Sequence, residues 1–103
     1  MRTMIWSPQA EAELEEILAY FEQKNAGSNS YSVYLTNKIE KLSAHYVRFP
    51  EMGQRLGDGE DRFFRCDQFM IVYSIVENGI EVSTVWDSRR DPKTLKKHLR
   101  RAD

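Results

Sequence analysis

The chain has 103 residues, 41% of them hydrophobic and 12% aromatic, with a formal net charge of −1. That is enough apolar material for one packed core and too little net charge for a disordered chain. A lone cysteine, Cys66, excludes an internal disulfide framework and a four-cysteine zinc site. No apolar run approaches a membrane span, and the opening residues read as a short strand rather than a signal peptide. A single cytoplasmic domain over residues 1–103, with no membrane association, is therefore expected. Charge is uneven along the chain. Residues 1–60 hold six Lys/Arg against nine Asp/Glu, residues 61–85 two against four, and residues 86–103 seven against three. An acidic body ends in a basic tail, which suits either a solvated terminus or contact with an anionic partner.

In chain order, Thr3–Trp6 predicts a first strand. Ser7-Pro8 starts a helix, because serine accepts a bond from an orphan N–H and proline is preorganised at the first helical position. Ala10, Leu14, Ile17, Leu18 and Phe21 fall on one helical stripe, and the early glutamates suit the positive end of the dipole. Residues 25–28 break the helix. Tyr31, Leu35, Ile39, Leu42 and Tyr46 carry a second one, and Phe49-Pro50 ends it.

Residues 50–60 are glycine-rich and read as a loop with a short strand near Gln54-Arg55-Leu56. Strands are expected over Arg62–Asp67, Phe69–Val76 and Ile80–Trp86. The middle one is apolar on both faces and therefore central. Asn78-Gly79 favours a tight hairpin. Ile80, Val82 and Thr84 alternate with Glu81, Ser83 and Val85. Lys93–Arg101 reads as a basic helical tail with Leu95 and Leu99 inward. The fold class is α+β: β-α-α-β-β-β, an N-terminal helical hairpin packed on an antiparallel sheet, with a short basic C-terminal tail.

Several residues invite a chemical reading. A base, an acid and converging cations would be needed to cleave RNA through its 2′-hydroxyl. Arg55, Arg62 and Arg65 are weak candidates for the cations and His98 for the titrating group. Each also has a structural reading: Arg62 as a register-holding pair with Asp87 or with a helix acid, Arg65 as the polar alternate of a strand, His98 as a surface residue. Tyr73 belongs in the core, and His45 lies beside the Leu42/Tyr46 face. Cys66 reads as a small buried hydrophobe. The glutamates of the first helix and the 58–61 turn lack metal-ligand spacing, so neither a metal nor another cofactor is expected.

Taken together, Ser7-Pro8 with its Leu14/Ile17/Tyr20 helix, the Phe49-Pro50-Glu51-Met52-Gly53 loop, Arg62 before Phe69-x-Ile71-x-Tyr73, and the closing Val85-Trp86-Asp87-Ser88-Arg89-Arg90-Asp91-Pro92 resemble the RelE/ParE superfamily of type II toxin–antitoxin toxins. The resemblance covers nearly the whole chain. It implies a toxin and a cognate antitoxin. It leaves two activities open: ParE-like inhibition of a protein such as DNA gyrase, and RelE-like cleavage of mRNA on the ribosome. The acidic body and the closing arginine motif favour the ParE-like branch. On that branch Arg89, Arg90, Lys93, Lys96 and Lys97 are expected to meet the target. Apolar residues off the core stripes, Trp6, Tyr20, Tyr34 and Trp86, are expected to meet the antitoxin. The motif also places Arg62 and Arg89 or Arg90 together near one end of the sheet.

Overall fold

In a computed structural model, residues 2–91, 93–95 and 99 are described. Strand β1 (Thr3–Trp6) leads into α1 (Pro8–Lys24) and α2 (Ser30–Arg48). A 3-10 turn at Pro50–Met52 precedes β2 (Gln54–Arg55), β3 (Arg62–Cys66), β4 (Phe69–Val76) and β5 (Gly79–Asp87). Residues 93–95 form a further helical turn. The α+β architecture and the order of elements are those expected from the sequence.

Local chemistry sets the boundaries. The Ser7 hydroxyl accepts the Ala10 N–H at 3.0 Å, with Pro8 in the first turn. Between the helices, the Ser32 hydroxyl donates to the Leu18 carbonyl at 3.2 Å and ties α2 to α1. The β4–β5 hairpin closes on Gly79, whose φ of 151° and contact with the Thr3 backbone leave no room for a Cβ.

The five strands lie in the order β1-β5-β4-β3-β2. From β2 to β5 each pairing is antiparallel, but β1 runs parallel to β5, with Thr3 opposite Gly79 and Trp6 opposite Val82. The sheet is therefore mixed rather than wholly antiparallel. The reason is the long helical excursion after β1, which is the kind of crossover that parallel neighbours require.

The helical hairpin covers one face. Leu14, Ile17, Leu18 and Phe21 of α1 and Leu35, Ile39, Leu42 and Tyr46 of α2 pack on Phe64, Cys66, Phe69, Ile71, Tyr73, Ile80, Val82 and Val85. Val82 and Val85 share a face despite their odd spacing. An irregularity at Ser83 shifts the register from Tyr73–Val82 to Val72–Thr84 and breaks the simple alternation read for this strand. The Glu13 carboxylate accepts the Thr84 hydroxyl at 2.7 Å and the Val85 N–H at 3.2 Å just past the bulge. The opposite face has its own core of Phe63, Met70, Val72 and Trp86, closed by Leu95 and Leu99.

Candidate binding site: a tyrosine and cation patch at one end of the sheet

The β3–β4 turn, the end of β5 and the bend of the helical hairpin meet at one end of the sheet. Asp67 sits in that two-residue turn with φ at 55°, a left-handed conformation that aspartate tolerates better than most residues. Its carboxylate accepts three side chains of α2. Tyr31 O–H donates at 2.9 Å, Tyr34 O–H at 3.2 Å and Lys38 Nζ at 2.8 Å. Tyr31, Tyr34 and Lys38 are spaced three and four apart, so one helical face delivers all three.

Lys38, and then the tyrosine hydroxyls, hold the Asp67 carboxyl below the usual carboxylate range. Reciprocally, the hydrogen bond that Lys38 donates to Asp67 pushes the Lys38 ammonium up. Burial, reinforced by Asp67, takes the Tyr31 hydroxyl to about 12. At neutral pH the cluster is a fixed carboxylate–ammonium pair beside the neutral Tyr31 phenol.

Aromatic rings continue this cluster across the hairpin. Tyr20 meets Phe21 edge-on at 5.1 Å, Phe21 meets Tyr31 at 4.5 Å, and Tyr31 meets Tyr34 at 5.7 Å. Phe21 also anchors the row to the sheet through Phe69. Tyr20 and Tyr34 remain 56% and 47% exposed, with Lys24 over the Tyr20 ring and Lys38 over the Tyr34 ring. Beside them Arg89 grips Asp87 through Nε and Nη2, at 2.7 Å for the shortest contact, yet is 72% exposed. Asp87 chiefly, and Tyr20 to a lesser degree, raise the guanidinium pKa, while Arg89 depresses that of Asp87. Exposed tyrosines among cations make a good contact surface, since Tyr and Arg dominate interface hot spots.

The other sequence candidates scatter. Trp86 is 1% exposed and packs the second core, with the Arg90 guanidinium 4.0 Å from its ring centre. In this structure it offers no surface to a partner: the second face builds a core of its own and Leu95 closes it. Trp6 is half-buried in β1 against the hairpin core. Arg90 and Lys93 are exposed, while Lys96, Lys97 and His98 lie outside the described residues.

Arg62 does not join the closing arginines. It pairs with Tyr73, whereas Asp87 pairs with Phe69 at the far end of β4, roughly 13 Å along the strand. It makes no pair with Asp87 either. Its Nη1 donates to the carbonyls of Glu51 and Gly53, both at 2.9 Å. Arg55 donates to the Gly59 carbonyl at 2.9 Å and shares a shallow recess of about 370 Å³ with Arg62, Glu60, Ser74 and Ile75. Arg65 points to the other face, over the Phe63 ring. Cys66 is buried, and burial pushes its thiol pKa up, as fits an inert core residue.

The helical hairpin on a sheet, with exposed tyrosines and cations at one end, defines a small α+β protein with a candidate contact surface. The family model described as ParE toxin of type II toxin-antitoxin system, parDE, matches residues 4–92. The chain belongs to that family. It is thus a type II toxin, and membership implies a cognate antitoxin as partner. No curated protein matches the chain. No helix among the described residues is long and apolar enough to cross a membrane.

Proposed function

We propose that the chain acts by binding, as a ParE-like toxin. It occupies a protein target of the DNA gyrase kind, in the cytoplasm, and a cognate antitoxin neutralises it by covering the Tyr20/Tyr34 patch. The observation that carries this reading is the patch itself: two half-exposed tyrosines joined through Phe21 and Tyr31 in one aromatic row, with Lys24, Lys38 and Arg89 beside them. Such a surface favours a partner segment that is apolar and acidic, which the cations would steer. Arg90 and Lys93 add exposed positive charge further along the chain, Arg90 over the Trp86 ring of the second core.

The ribonuclease alternative draws less support. Its candidate cations Arg62 and Arg65 stand on opposite faces of the sheet, and Arg55 and Arg62 already donate to backbone carbonyls. One phosphate cannot meet Arg62 and Arg65 without rebuilding β3.

The test measures supercoiling by purified gyrase against the chain, beside mRNA cleavage on programmed ribosomes. Binding-type action predicts inhibition of supercoiling that weakens at least about tenfold with Tyr34→Ala or Arg89→Glu, and intact mRNA. Cleaved mRNA with unaffected supercoiling would overturn the proposal.

A further inference from the structure

At the opposite end of the sheet from the tyrosine patch lies an open cleft of about 600 Å³ between the C-terminus of α2 and the β4–β5 hairpin. Its apolar lining is Phe49, Met52, Ile75 and Val76, which are 47%, 66%, 45% and 36% exposed. These are half of the chain's large hydrophobic residues that stand in solvent among the described residues. Such clustering marks a contact surface rather than scattered surface apolarity.

The wall that carries Phe49 and Met52 is held rigidly. The Tyr73 hydroxyl donates to the Pro50 carbonyl at 2.6 Å. Its cross-strand neighbour Arg62 holds the carbonyls of Glu51 and Gly53. Gly53 lies so close to Tyr73 that a Cβ there would collide with the hydroxyl. Two side chains from neighbouring strands thus fasten one turn, and the apolar pair it presents needs little ordering on binding.

The rim carries both signs of charge. Arg2 and Arg48 stand with Glu51 and Glu77 around the cleft. Arg2 donates to the Arg48 carbonyl at 2.8 Å, and the Arg48 guanidinium lies 5.3 Å from the Phe49 ring centre. None of the four belongs to an ion pair among the described residues. A partner segment of one sign would be repelled by half of this rim. A second copy related by a two-fold axis offers glutamates to these arginines and an apolar wall to this one.

We propose that this cleft is the two-fold contact between two copies of the chain. It uses none of the tyrosine patch, so it stands whether or not the toxin acts by binding. The patch of each copy stays open on the outer end of the pair.

The experiment is analytical ultracentrifugation of the full chain from about 1 to about 100 µM, a range that brackets a micromolar dissociation constant. The expected result is a monomer–dimer equilibrium, weakened at least about thirtyfold by Met52→Glu. Two further variants test the charge pattern without assuming which residue meets which. One carries Arg2→Glu and Arg48→Glu; the other carries Glu51→Lys and Glu77→Lys. Each alone should remain monomeric, and their equimolar mixture should dimerise to within about threefold of the natural chain. Circular dichroism checks that each variant is folded. A natural chain that stays monomeric across the range overturns the proposal. So does association that grows past a dimer, association that ignores Met52→Glu, or a mixture of two folded charge variants that fails to pair.

Discussion

Arg62 is the residue on which a catalytic and a structural account part most sharply. In the structure its guanidinium is spent on two carbonyls of the 50–53 turn, at 2.9 Å each, and the side chain is half-buried. Hydrogen bonds from a charged donor contribute about 1.5–3 kcal/mol when well desolvated, and partial exposure brings the pair to about 2 kcal/mol in all. For a domain this size that loss lowers the melting temperature by roughly 8–16 °C. Arg62→Ala should show such a shift by circular dichroism. Tyr73→Phe should cost about 1 kcal/mol, since it leaves the Pro50 carbonyl without its donor. The double variant should fall short of the sum, because either loss already loosens the same turn. Arg62→Ala should also keep its potency per folded molecule when assayed well below its melting point. An unchanged melting temperature with lost activity would refute the latch and return Arg62 to the reacting site.

Other outcomes follow from the packing and the charges. Leu35 is fully buried between α2 and the sheet, so Leu35→Ala should lower the unfolding free energy by about 2–5 kcal/mol in denaturant titration. The Asp67 pKa is depressed in the fold, so its contribution is present above the unfolded value near 3.9 and lost as pH falls through the folded value. Asp67→Asn should therefore be less stable than the natural chain at pH 7 and should converge with it at the acid end of the titration. Tyr20→Ala and Tyr34→Ala should each weaken antitoxin binding at least about tenfold by calorimetry, and Tyr34→Ala should also lose some stability because its hydroxyl donates to Asp67.

Much of this fold is legible in the sequence because its signals are local. Ser7-Pro8 sets the start of α1, the helical stripes set the hairpin, and the two-sided apolarity of Phe69–Val76 makes β4 central. What escapes local reading is pairing. Nothing within Thr3–Trp6 specifies a parallel partner 76 residues away. The bulge at Ser83 changes which side Val85 faces, and no residue type there announces it.

The site divides the same way. Tyr20 and Tyr34 stand out as aromatics off the core stripes, and the structure leaves both exposed. Trp86 stands out equally but is buried in a second core with Phe63, Met70, Val72 and Leu95. The Asp67 hub is hidden in sequence because a turn residue gathers three partners from a helix some 30 residues earlier. The spacing of Tyr31, Tyr34 and Lys38 on one face was the available signal. Arg62 and Arg89 share a motif but not a location, since the strand register sets them at opposite ends.

On the proposed function, this toxin acts by occupying a protein target through its exposed tyrosine and cation surface. The most direct measurement is pulse labelling of bacteria after the chain is induced alone, following DNA synthesis and translation in parallel. If the toxin acts by binding, thymidine incorporation falls first while amino-acid incorporation and mRNA length hold, and the double variant Tyr34→Ala/Arg89→Glu, folded and equally expressed, delays the fall. Translation that stops first, with cleaved mRNA and with the double variant as toxic as the natural chain, would contradict it.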